Sequence, residues 1–86
     1  MLEEPAGYCV YRAYESDMTI DFYEDYNDAV EALRYFVFTY SKLPVRRIRY
    51  MNIDQLMDEI DELSDQPGKY VRGYILTVRF KKKQGR

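Results

Sequence analysis

From Met18 to Asp25 the chain alternates. Met18, Ile20 and Phe22 fall on one side of an extended backbone and Thr19, Asp21 and Tyr23 on the other, a period of two that predicts a strand over 18–25. The preceding GYCVYRAY, residues 7–14, is rich in Tyr and Val, residues that suit a pleated, half-buried surface. The short link Glu15-Ser16-Asp17 fits a hairpin turn, so two antiparallel strands are expected.

The period then changes. Ala29, Val30, Leu33, Phe36, Val37 and Tyr40 recur at helical spacing and predict a wide apolar stripe. Asn27 or Asp28 is placed to cap the first amides, and Asp28 with Glu31 has the spacing of a capping box. Pro44 stops the helix, because the residue before a proline is pushed out of the helical region. VRRIRYM, residues 45–51, alternates again, with Arg46, Ile48 and Tyr50 opposite Val45, Arg47 and Arg49, and reads as a third strand. A second helix follows, with Asn52 as cap, Gln55 three residues on, and a narrow stripe of Ile53, Leu56, Met57, Ile60 and Leu63. KYVRGYILTVRF, residues 69–80, is the longest predicted strand. One of its faces carries Tyr70, Arg72, Tyr74 and Leu76, the other Val71, Gly73, Ile75 and Thr77.

The order β-β-α-β-α-β predicts an α+β fold, a two-layer sandwich. Two helices would lie on one face of a mainly antiparallel four-stranded sheet, leaving the other face partly open to water. Residues 1–80 form a single domain in this reading, and the basic run 81–86 a flexible C-terminal tail. With 86 residues there is room for one core only. Ten Tyr and four Phe set the chain apart from disordered sequences, which are poor in aromatics.

Net charge is −2, but the charges are segregated. Residues 1–31 hold nine acids against Arg12 alone; residues 32–53 hold five bases and no acid. Residues 54–65 contribute six acids and no base, and residues 66–86 seven bases and no acid. Local charge therefore says more about partners than the mean does.

Much chemistry is missing from the composition. The chain has no His, the commonest general base and metal ligand. Its one cysteine, Cys9, has no histidine to activate it and reads as a small strand-borne hydrophobe. The four glycines are scattered, so no phosphate-cradling loop is formed. Asp54, Asp58 and Asp61 lack the alternation and central glycine of a calcium loop, and their apolar neighbours demand a helix. The expectation is a protein that is not an enzyme, with no catalytic residues, no cofactor and no metal. A lone cysteine fits a reducing compartment. No signal-peptide pattern opens the sequence, and no run approaches the ~18 apolar residues of a membrane span. Cytoplasmic localisation with no membrane partner is expected.

Two surfaces follow from the pattern. On the second helix Asp54, Asp58, Asp61 and Asp65 stack at i, i+4, i+7 and i+11, flanked by Glu62. Such a face either keeps the chain solvated or docks against a basic patch, and Asp21, Asp25 and Asp28 are candidates to widen it. The other surface is basic and aromatic. Arg47 and Arg49 on one strand, Tyr70, Arg72 and Tyr74 on another, and Lys81, Lys82 and Lys83 in the tail would together stack bases and hold phosphates. The leading reading is a non-enzymatic protein-binding module, an inhibitor or adaptor that engages a basic surface on a larger protein. A nucleic-acid-binding accessory protein is the second reading, and a self-associating structural subunit, such as a homodimer, is the third.

Overall fold

The computed structural model describes residues 6–79. In chain order the elements are β1 (Gly7–Tyr14), β2 (Asp17–Tyr23), α1 (Tyr26–Tyr40), α2 (Val45–Arg49), α3 (Ile53–Ser64) and β3 (Val71–Val78). The class is α+β, as the sequence predicts. Among the described residues, however, the sheet has three strands in the order β2-β1-β3, where four were expected. Both pairings are antiparallel. The terminal run 81–86, with Lys81, Lys82 and Lys83, lies outside the described residues.

The missing strand is α2. Residues 45–49 are helical although their alternation is that of a strand. Only Ile48 of this segment is buried, whereas Val45 and Tyr50 are exposed, so the alternation encodes no covered face. Pro44 sits at the N-cap, and its carbonyl accepts from Arg47 and Ile48 N–H at 3.0 and 3.2 Å. The far end is held from outside. Arg34 of α1 donates through Nη1 to the carbonyls of Ile48 and Met51, both at 2.7 Å. A cation at a helix C-terminus meets carbonyls that have no partner within the helix, and five residues need such help because so short a helix barely propagates.

The long helices follow their sequence signals more closely. Asn52 caps α3, its side chain accepting from Gln55 N–H at 2.9 Å while Gln55 Oε1 accepts from Asn52 N–H at 2.8 Å. In α1 the cap is Asp25, accepting from Asn27 N–H at 2.8 Å, rather than the expected Asn27 or Asp28. The helix begins earlier because β2 already ends at Tyr23. Leu33, Phe36 and Val37 of α1 and Leu56 and Ile60 of α3 join Val10, Ile48 and Val71 in one core. Ile53, Met57 and Leu63 pack half-buried against it. Gly73 lets both helices approach β3 closely: a Cβ there would stand 2.9 Å from Ile60 Cδ1 and 3.0 Å from Leu33 Cδ1.

Register decides which face of the sheet the helices cover. Tyr14 pairs with Asp17 across a two-residue turn whose first residue, Glu15, has φ 58°. Val10 is then in register with Asp21 and Ile75, and Tyr14 with Val71, so these share the helix-covered face. Tyr14 stacks on Tyr40 of α1 at 3.9 Å between centroids, and Arg12 reaches both Asp21 and the Ala32 carbonyl. Tyr11 pairs with Ile20 and with Tyr74, and Cys9 with Phe22 and with Leu76; these point to the opposite side. The apolar half of β2 therefore faces outward. Met18, Ile20 and Phe22 are 64%, 68% and 51% exposed.

Candidate interaction surfaces

On α3 the apolar stripe fixes the orientation of the carboxylates. With Leu56 and Ile60 buried, Asp54, Asp58, Asp61, Glu62 and Asp65 are all exposed. The sixth acid of the run, Glu59, is structural: it is half-buried and accepts from Ser41 Oγ at 2.8 Å, tying α3 to the end of α1. None of the ion pairs seen among the described residues involves the five exposed acids. The last turn of α3 carries no base. Asp61, Glu62 and Asp65 thus lie at the negative end of the helix dipole, where each carboxylate costs ~0.3–1 kcal/mol. These charges are kept against the helix's own preference.

Two acids proposed to widen this field have other duties. Asp21 pairs with Arg12 beneath α1, and Asp25 caps that helix. Asp28 stands in the first turn of α1, where a carboxylate favours the dipole. Beside α3 the folded chain instead brings a base. Arg46 and Arg47 of α2 share a shallow groove with Gln55, Asp58, Glu59 and Glu62. The acidic face is consequently bordered by cations along one side, which the sequence pattern alone did not reveal. Among the described residues no group of three or more acids or thiols is arranged to hold a metal ion.

The basic-aromatic surface is divided. Arg47 and Arg49 stand on α2, off the sheet, because their segment is helical. Tyr70, Arg72 and Tyr74 do share the open side of the sheet. The Arg72 guanidinium lies 4.6 Å from the Tyr70 ring centroid and donates to Ser64 Oγ at 2.5 Å. Tyr74 packs on Tyr11 with centroids 5.0 Å apart. The Tyr11 hydroxyl donates to Met18 Sδ at 3.2 Å. Its pKa is raised, first by hydrogen bonding with Tyr70, then by desolvation and the neighbouring phenols. Immediately before Tyr70, Lys69 donates to the Tyr14 hydroxyl at 2.7 Å, which raises the lysine's pKa.

What the sequence reading missed is the size of the apolar part of this face. Leu76 is 53% exposed, level with the residues of β2. The signal was available in the alternation of 18–23, but alternation does not say which side is covered.

Among the described residues no helix is long and apolar enough to cross a membrane. Comparisons of the chain with protein-family models, with curated proteins and with solved structures gave no match.

Proposed function

We propose that this chain is a non-enzymatic protein-binding module that engages a basic surface on a larger protein through the acidic face of α3. The observation that carries the reading is the stripe of Asp54, Asp58, Asp61, Glu62 and Asp65: exposed, and outside the ion pairs seen among the described residues. The helix beneath it is fixed by a capping box and two buried anchors, so the charges form a preset array. Preset charge steers association and selects partners more than it adds affinity. A role as inhibitor or adaptor, and a cytoplasmic setting suggested by the lone thiol of Cys9, belong to the same proposal.

The nucleic-acid reading retains Tyr70, Arg72 and Tyr74, whose stacked arginine and exposed rings suit single-stranded bases. It loses Arg47 and Arg49 to another side of the molecule, and its neighbours among the described residues, Ile20, Phe22 and Leu76, offer nothing to phosphate, while Lys81, Lys82 and Lys83 lie outside the described residues. The protein-binding reading is therefore preferred.

The test is affinity capture from nuclease-treated host lysate, comparing the wild type with a Asp58→Asn, Asp61→Asn, Glu62→Gln variant. A partner held at low salt, released at high salt and lost by the variant is the expected result. Equal capture by both proteins would leave α3 as a solvated face. Binding of single-stranded DNA or RNA at low salt, abolished by Tyr74→Ala, would move the assignment to nucleic acid.

A further inference from the structure

The open face of the sheet is ordered in three rows across the strands. Met18, Ala13 and Arg72 form one row; Ile20, Tyr11 and Tyr74 the middle; Phe22, Cys9 and Leu76 the third. Apart from Arg72 at a corner, no charged side chain stands in these rows. Ile20, Met18, Leu76, Phe22 and Tyr74 are between 68% and 37% exposed. Taking ~200 Å² for a large side chain, these five present on the order of 500 Å² of mostly apolar surface. That is the upper part of the ~300–600 Å² range for the largest patch on a monomer, where such patches commonly serve an interface.

We propose that two copies of this chain pack these faces together, sheet on sheet, in a two-fold symmetric dimer centred on the Ile20–Tyr11–Tyr74 row. Area is the first argument. Two faces of ~500 Å² with their rims approach the ~1,200 Å² at which specific interfaces begin, which fits a dimer of moderate affinity. Charge is the second. A two-fold axis sets each face against itself, and a face with no acid and one peripheral base meets no like-charge penalty at its centre. Arg72 is already turned to Ser64 and the Tyr70 ring.

The α3 carboxylates lie on the helix-covered side of each sheet. Sheets stacked ~10 Å apart, each backed by its helices another ~10 Å away, keep the two acidic faces ~30 Å apart. This is several Debye lengths at physiological salt, ~8 Å, so the acids do not oppose dimerisation. The twelve residues of the sequence outside the described range are poor rival occupants. Residues 1–5 and 80–86 supply only Met1, Leu2 and Phe80 as large apolar side chains, among two acids and four bases. A face used in this way leaves α3 free, so the dimer and the docking role stand or fall separately.

The experiment is sedimentation equilibrium of the full chain across the micromolar range, at low and high salt. The expected result is a concentration-dependent dimer that persists, or tightens, in high salt, as apolar burial does. Dimers built by acidic blocks meeting basic blocks would instead dissociate. Ile20→Lys should shift the dimer dissociation constant at least tenfold while far-UV circular dichroism stays native. Leu76→Lys is the second variant, read if the first unfolds. Tyr35→Lys, on an exposed α1 position off this face, should leave the dimer intact. A wild type monomeric throughout the range overturns the proposal, as does a dimer that both folded face variants leave unchanged or that high salt dissolves.

Discussion

Arg34 donates to the carbonyls at the far end of the unexpected helix α2. Its side chain is 13% exposed and does two things: Nη1 donates to the carbonyls of Ile48 and Met51, and Nε pairs with Glu31. The magnitudes separate them. Hydrogen bonds to a charged group contribute ~1.5–3 kcal/mol each, the lower end applying to Ile48, whose carbonyl also accepts from Met51 N–H. Glu31 is 63% exposed, and an exposed pair contributes ~0–1 kcal/mol. Water can reach part of a surface helix end, so Arg34→Met should cost about 2–4 kcal/mol and Glu31→Gln less than about 1. Arg34→Lys, a point donor without the fork, should fall between them. Urea unfolding followed by far-UV circular dichroism at one low protein concentration measures all three. In Arg34→Met the amides of Tyr50 and Met51, which close on Arg47 and Ile48, should also lose hydrogen-exchange protection first. If Arg34→Met and Glu31→Gln cost the same, the carbonyl cap is not what holds α2, and the reasoning fails.

Two further outcomes check the core and the open face. Leu56, fully buried where α3 meets the core, should lose ~2–5 kcal/mol on conversion to Ala; a loss under ~1 kcal/mol in the same urea assay would mean that α3 is not anchored there. Tyr11 should titrate above its ordinary value of 10.0, and Tyr70→Phe should bring it back down, as read from its ring resonance by NMR. Because the folded-state pKa values of Tyr11 and Lys69 are raised, their contribution to stability is complete below the unfolded values and lost as pH rises through the folded ones. Any loss from these groups should thus be confined to alkaline solution, above pH ~10.

The sequence by itself determined the elements whose signals are local and redundant. Helix α3 was legible because an apolar stripe, the Asn52–Gln55 capping box and the run of exposed acids agree with one another. The hairpin β1–β2 was legible from the Tyr and Val content of residues 7–14 and the period two of 18–25, strand β3 from its two alternating faces, and the five carboxylates of α3 are exposed because the stripe leaves them no other side. Tertiary structure alone decided three things. Alternation over residues 45–51, of which Ile48 alone is buried, fits a strand or a helical turn equally, and the contacts that hold 45–49 as a helix include the donors of Arg34, fourteen residues from Ile48 and silent in any local pattern. The side of β2 that meets the helices was set by the two-residue turn at Glu15 and by Val10 and Val71, which commit their own side of the sheet, the side of Asp21, to the core. With that parity fixed, Met18, Ile20 and Phe22 had to face outward, since successive strand residues point to opposite faces and a register shift of one would have inverted them all. The partners of the charges were decided the same way: Asp21 went to Arg12 and Glu59 to Ser41, because contacts between residues far apart in sequence depend on packing, which no local period encodes.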